Sequence, residues 1–94
     1  MAKKNALSSI LRSKNKFKVM ESLAGYNEKA QAVIEKETGM YKSHTSRTLK
    51  ELEEIGAVKQ TNPGDRSYKF LALTSKGKVL YKKAKEIKEV IKKE

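Results

Sequence analysis

The residue types best suited to chemistry cluster in one segment with helical periodicity, from about Lys42 to Ile55. Its inward positions on a helical wheel are Thr45, Leu49 and Leu52, and its outward positions are Ser43, Arg47, Lys50 and Glu54, with Ser46 at their flank. An arginine matches the acceptors of guanine, and short hydroxyls bond to several bases or to phosphate. The outward face therefore predicts hydrogen bonding in the major groove of DNA. Taken alone, the same pattern is more typical of a solvated helix surface.

The second half of this segment is acidic, with Glu51, Glu53 and Glu54 close together. Carboxylates repel a phosphate backbone, so only the first turns suit DNA. The free backbone amides of a first helical turn also favour phosphate, and this end of a recognition helix reaches the base edges. We therefore expect the helix to insert by its N-terminal end.

Other basic side chains are candidates for contacts with the backbone of DNA. Arg66 and Lys69 lie at or beside a predicted hairpin turn, where they could reach a phosphate or the minor groove. Lys14 and Lys16 lie near the start of an earlier helix and could contact flanking phosphates. An ordinary charged turn and a solvated lysine face are the alternatives.

Composition restricts the classes of function. With 22 basic and 11 acidic residues the net charge is +11, which favours a polyanionic partner, nucleic acid before an anionic membrane. The alternative is a lysine-rich surface of the kind found in proteins from hot habitats. The chain has no cysteine and one histidine, His44, so we expect no metal site and no cofactor. No catalytic motif accompanies that histidine, and we expect no enzyme.

The pattern of elements predicts a single domain over residues 1–94, with residues 1–5 as a basic arm. Apolar spacing predicts two short helices with Ser13 as the N-cap between them, and a third helix capped by Asn27 and ended by Gly39. After the helix from Lys42, strands over 57–61 and 67–73 flank a turn at Pro63-Gly64, and Thr74 or Ser75 caps a final helix over 75–94. The fold class is α+β and mostly helical, a winged helix-turn-helix with a two-stranded hairpin as its wing. A generic α+β domain with a hairpin is the alternative.

The final helix carries an apolar stripe at spacings of four, three and four residues: Leu80, Ala84, Ile87 and Ile91. The stripe could pack inside its own domain or pair with a second chain. It is too short for an independent coiled coil, so a dimer would add Leu7, Ile10, Leu11 and Tyr81 to the interface. Two-fold pairing would place two recognition helices about 34 Å apart and predicts a palindromic site.

Two stretches carry a resemblance to known regulators. Residues 39–58 read GMYKSHTSRTLKELEEIGAV, and residues 66–77 run from Arg66-Ser67-Tyr68 to Leu73-Thr74-Ser75-Lys76-Gly77. The sequence resembles the winged helix-turn-helix transcription regulators of the MarR and ArsR types, especially small archaeal or archaeal-virus members. The resemblance implies base reading by Ser43, Ser46 and Arg47, phosphate contacts by Lys42 and Lys50, wing contacts by Arg66, and a dimer. Without cysteines, the chain departs from the metal-sensing branch.

These observations together predict a sequence-specific regulator of transcription that binds double-stranded DNA, acting as a repressor in the cytoplasm and associated with the nucleoid. No membrane partner is expected, and no small-molecule effector is recognisable. Two alternatives remain: an architectural protein that coats DNA with weak sequence preference, and a winged-helix module that binds other proteins.

Overall fold

A computed structural model of the chain describes residues 6–64 and 69–93. The first two helices are α1, Ala6–Leu11, and α2, Lys14–Leu23. The predicted N-cap between them is confirmed, because the Ser13 hydroxyl accepts a hydrogen bond from the backbone N–H of Lys16 at 3.2 Å. The basic arm predicted over residues 1–5 lies outside the described residues.

The start of the third helix differs from the prediction. Helix α3 spans Gln31–Thr38, and its N-cap is Ala30 rather than Asn27. The two residues before it form a short strand, β1, Lys29–Ala30, which pairs antiparallel with a later strand. The pairing bonds the backbone just where Asn27 was expected to start a helical turn. Strand pairing therefore outweighs the local preference of asparagine for a helix N-cap.

The next helix, α4, spans Lys42–Glu54 and agrees with the expected segment. The turn before it uses the left-handed conformation of Gly39, at φ 72°, which ends α3 as predicted. Helices α3 and α4, joined by this three-residue turn, form the expected helix-turn-helix.

The sheet has three strands rather than the two expected. Strands β2, Val58–Gln60, and β3, Phe70–Leu73, pair antiparallel, and β1 lies on the other side of β3. Within the described residues both hairpin strands are shorter than predicted, because Ala57, Thr61 and Lys69 lie outside these strands. The wing residues 65–68, which include Arg66, lie outside the described residues.

The last helix, α5, spans Ser75–Lys93. Thr74 is its cap, because the Thr74 hydroxyl accepts from the backbone N–H of Gly77 at 2.9 Å and donates to the Gly56 carbonyl at 2.5 Å. Helix α5 lies against α1 and α2, where the Phe17 and Tyr81 rings stack at 5.4 Å. Through this packing α5 shares one hydrophobic core with the sheet and the other helices.

The core takes side chains from nearly every element, led by Ile10, Met20, Leu23, Ile34, Leu49, Leu52 and Leu71, all fully buried. The fold is mostly helical with a small antiparallel sheet, as the winged helix-turn-helix prediction required. No helix within residues 6–64 and 69–93 is both long and apolar enough to cross a membrane.

Candidate nucleic-acid interface

Helix α4 has one face fixed in the core and one face open to solvent. Thr45 and Leu49 are fully buried, and Thr45 also donates a hydrogen bond to the Tyr41 carbonyl at 3.0 Å. The residues of α4 that were predicted to meet DNA are all exposed: Lys42, Ser43, Ser46, Arg47 and Lys50. The structure therefore brings all five to the first turns of one helix, on a rigid support.

The cations of this face have no counter-ion among the residues that the structure describes. Within the described part of the chain, Lys42, Arg47 and Lys50 form no ion pair. Charges that no protein group neutralises attract a polyanion more strongly. The acidic second half of α4 is different, since Glu51 lies 3.6 Å from the Lys16 ammonium and Glu53 lies 3.8 Å from that of Lys69.

Those two pairs change the interpretation of two predicted backbone contacts. Lys16 is only half-buried as a residue, but its ammonium already donates to the Ser9 hydroxyl at 2.9 Å and faces Glu51. Lys69 faces Glu53. Both lysines hold the back of α4 to its neighbours, whereas Lys14 is exposed and forms no ion pair among the described residues.

Gln31, which sequence reasoning missed, contacts both the base of the wing and α4, in addition to the ion pair of Lys69 with Glu53. Its backbone N–H donates to the Lys69 carbonyl at 2.8 Å, and its side-chain amide donates to the Ser46 hydroxyl at 3.1 Å. Gln31 opens α3, so no feature of the α4 wheel could reveal it. Its contact with Ser46 depends on how the two helices cross.

Two more exposed residues at the start of α4 were not among the predicted contacts. Tyr41 is 77% exposed and its ring meets the His44 ring edge-on at 5.9 Å. An exposed aromatic side chain of this kind is able to pack on the methyl group of thymine. The sequence feature that could have indicated Tyr41 is an aromatic residue in a turn, outside the apolar positions of the helical pattern.

The other end of α3 is held by a buried lysine. The Lys29 ammonium donates to the Ser22 carbonyl at 2.5 Å and to the Glu37 carboxylate at 2.6 Å, and lies 3.8 Å from the Tyr26 ring centroid. The hydrogen bond from Lys29, followed by one from the Ser22 hydroxyl, lowers the pKa of Glu37 below its ordinary value of 4.5. These contacts join α2, β1 and α3, and so fix the helix that supports α4.

The predicted dimer residues divide into two groups. Ile10 and Ala84 are fully buried in the core of the single chain, so they have no surface to offer a partner. For these two, packing inside the domain is what the structure shows. Leu7, Leu11, Leu80, Tyr81 and Ile87 are half-buried, and Ile91 is 67% exposed.

The described residues contain no group of three or more histidine, cysteine or acidic side chains placed to hold a metal ion. A surface cavity of about 350 Å³ lies between α1, the start of α2, the end of α4 and α5, with Ser9, Lys16, Glu54 and Lys76 in its lining. The cavity borders the acidic end of α4, and its lining includes none of the exposed residues Lys42, Ser43, Ser46, Arg47 and Lys50.

No protein-family model matches the sequence, and no curated protein matches it significantly. Solved structures do match, among them a MarR-family transcriptional regulator from Rhodococcus sp. RHA1. The match has a TM-score of 0.73 and 26% identity, and covers 87% of this chain and 59% of that one. The chain has the winged helix-turn-helix fold of the MarR-family regulators. The prediction of that fold is therefore confirmed.

Two further structures with this MarR-type fold differ in what they contain. A mutant MarR from E. coli in complex with operator DNA has a TM-score of 0.71 and 22% identity, and the match covers 85% of this chain and 58% of that one. NadR in complex with 4-hydroxyphenylacetate has a TM-score of 0.72 and 22% identity, with 92% and 73% covered. The chain thus spans between 58% and 73% of these three structures. Several neighbours are named as transcriptional regulators, which are not enzymes.

Proposed function

We propose that the chain is a sequence-specific regulator of transcription that binds double-stranded DNA and represses by occupying promoter DNA. The observation that carries the proposal is the exposed first half of α4, where Ser43, Ser46 and Arg47 share one face while Thr45 and Leu49 are buried behind them. A major groove admits one helix presented in this way. A MarR bound to operator DNA has the same fold and supports the proposal.

Each side chain of this face has a role that suits its chemistry. Arg47 presents a planar fork that bonds to both acceptors of guanine, O6 and N7, and the hydroxyls of Ser43 and Ser46 bond to bases nearby. Lys42 and Lys50 flank them and bind phosphate. The acidic second half of α4 remains outside the groove, so the helix enters by its N-terminal end.

Affinity comes mainly from charge outside α4. The net charge of +11 supplies sequence-independent attraction, and Lys14 at the start of α2 is an exposed contributor. The wing, with Lys69 at its base and Arg66 in its turn, lies on the backbone or in the minor groove. Thus the helix supplies specificity, and the wing and the lysines supply affinity.

The regulator acts as a homodimer on a palindromic site. The interface uses the apolar residues of α1 and α5 that remain accessible: Leu7, Leu11, Leu80, Tyr81, Ile87 and Ile91. Two-fold symmetry then spaces two copies of α4 by one turn of DNA, about 34 Å. A cytoplasmic location, associated with the nucleoid, follows from this activity.

A second candidate is an architectural protein that coats DNA. It is favoured by the lysines of α5, since Lys76, Lys78, Lys82, Lys83 and Lys85 are all exposed on a helix other than α4. A coating protein would show a steep dependence of affinity on salt and no preferred sequence.

Selection from a library of random duplexes separates these functions. The regulator enriches one sequence, with two half-sites in inverted orientation. Enrichment of no sequence, together with salt-sensitive binding to all duplexes, would favour the architectural protein. Failure to bind any duplex at low salt would favour a module that binds other proteins.

The structure of NadR with 4-hydroxyphenylacetate makes effector control a second question for the same assay. A ligand in the surface cavity would lie among two lysines, Lys16 and Lys76, and two glutamates, Glu51 and Glu54. Titration of 4-hydroxyphenylacetate into the complex with the selected duplex tests this. A fall in DNA affinity supports an effector, and an unchanged affinity excludes this carboxylate.

A further inference from the structure

The side chain of Gln31 links the two helices of the helix-turn-helix at the base-reading face. Its amide nitrogen, Nε2, lies 3.1 Å from the Ser46 hydroxyl oxygen on α4 and 3.1 Å from a Glu35 carboxylate oxygen one turn along α3. One amide group therefore connects an acidic side chain, which is half-buried, to a hydroxyl that is exposed to DNA.

The orientation of this amide follows from the chemistry of Glu35. An ionised carboxylate accepts hydrogen bonds and donates none, so the amide group must turn its nitrogen, not its oxygen, toward Glu35. The same nitrogen faces Ser46. Gln31 is thus the donor in its bond to Ser46, and the serine oxygen is the acceptor.

Both ends of this bond are held by rigid structure. Gln31 directly follows β1, in which Ala30 pairs with Phe70, and its own backbone N–H donates to the Lys69 carbonyl at 2.8 Å. Ser46 follows Thr45, which is fully buried and anchored to the Tyr41 carbonyl. The distance between Gln31 and Ser46 is therefore fixed by the strand pairing of β1 and by the packing of α4.

A hydroxyl has one proton to donate and two lone pairs with which to accept. Gln31 occupies one lone pair of Ser46, and a hydroxyl that accepts a hydrogen bond becomes a better donor, because successive bonds polarise one another. Among the described residues, Ser46 has no acceptor for its own proton. That proton is left for a ligand.

We propose that Gln31, oriented by Glu35, is a positioning residue that makes Ser46 a hydrogen-bond donor toward DNA, so that the base opposite Ser46 is chosen for its acceptors. In the major groove guanine and thymine present only acceptors, adenine presents an acceptor beside a donor, and cytosine presents a donor, its amino group. The inference rests on the proposed function, in which α4 reads base edges.

The test exchanges the two partner side chains. In the double variant Gln31→Glu with Glu35→Gln, the carboxylate stands next to Ser46 and the amide stands one turn away, and the net charge is unchanged. Ser46 must then donate to the carboxylate and present its lone pairs to DNA. Selection from random duplexes identifies the base position that Ser46→Ala relaxes. At that position we expect guanine or thymine for the wild type and a shift of roughly three- to tenfold toward cytosine for the exchanged pair.

Two controls separate positioning from loss of structure. The exchange made in the Ser46→Ala background should leave base preference as it is in Ser46→Ala alone. Gln31→Met, which removes the donor without adding charge, should weaken the preference for guanine or thymine at that one position and leave the others unchanged. It also serves if the exchanged pair does not fold, which circular dichroism shows.

Three results would overturn the inference. The first is an exchanged pair that keeps the wild-type base preference, and the second is a Ser46→Ala variant that relaxes no base position. The third is an exchange that still alters the base preference in the Ser46→Ala background. A wild-type protein that enriches no site refutes the proposed function itself, and the role of Gln31 with it. In all three earlier results the wild type still selects a site, so the two failures are distinguishable.

Discussion

Replacing Gly77 by alanine tests the junction between the sheet and α5. A β-carbon at this position would lie 1.9 Å from the Ala57 carbonyl oxygen and 2.9 Å from its carbon, so the two backbones must separate by about 1 Å. Overpacking of this kind costs about 1–3 kcal/mol. The same movement stretches the bonds from Thr74 to the Gly56 and Ala57 carbonyls, each worth about 0.5–1.5 kcal/mol.

A helical alanine in place of glycine would ordinarily stabilise by about 1 kcal/mol. Subtracting this gain leaves a net loss of about 3 kcal/mol, which lowers the melting temperature by on the order of 10–20 °C in a domain of this size. Thermal unfolding followed by circular dichroism measures the shift.

Two other glycines provide matched controls for the same substitution. Gly64 has no atom within 4 Å of the added carbon and no left-handed φ, so Gly64→Ala should change stability by less than about 0.5 kcal/mol. Gly39 also has open space but a φ of 72°, so Gly39→Ala should cost about 1–2 kcal/mol from backbone strain alone. A Gly77→Ala variant as stable as the wild type would refute the close approach of α5 to the sheet.

Three further predictions concern charge and assembly. The folded state lowers the pKa of Glu37, so the ionised carboxylate stabilises the fold above the unfolded pKa, and this stabilisation is lost as the pH falls through the folded pKa. Glu37→Gln should therefore lose less stability than the wild type between about pH 5 and pH 3. Urea unfolding at each pH measures the two losses. Equal losses would contradict this. Lys14→Ala should reduce the salt slope of DNA binding by about 1. Lys16→Ala breaks contacts with Ser9 and Glu51, so it should alter the free energy of unfolding more than the salt slope. Identical salt slopes for the two variants would show that the two lysines do not differ. Ile91→Glu should convert the proposed dimer to a monomer without unfolding it, because this side chain is exposed, and sedimentation at micromolar concentration reports the mass; a wild type that is already monomeric refutes the dimer.

The sequence was sufficient wherever local chemistry determines the backbone. Ser13 caps α2, Gly39 ends α3 in a left-handed conformation, and Thr74 caps α5, each as its residue type predicts. The face of α4 also followed from periodicity, because Thr45 and Leu49 are buried and Arg47 is exposed. Capping and helical period act within a few residues, so they can be recognised without the fold.

The sequence failed where distant segments compete for the same backbone. Asn27 looked like a helix cap, but Lys29 and Ala30 pair with β3 across some forty residues of chain, and α3 starts later. The contact between Gln31 and Ser46 depends on the packing of two helices, which no local pattern encodes. Ile10 and Ala84 show the same limit, since an apolar stripe does not tell a core from an interface.

Base reading by the first half of α4 can be measured on single-base variants of the selected site. Affinities of the wild type and Arg47→Ala are compared on the selected duplex and on duplexes with each base of a half-site changed. We expect Arg47→Ala to lose about 1–3 kcal/mol of binding free energy on the selected duplex and to relax the preference at one base position. An Arg47→Ala variant with unchanged affinity and unchanged preference at every position would contradict base reading by α4.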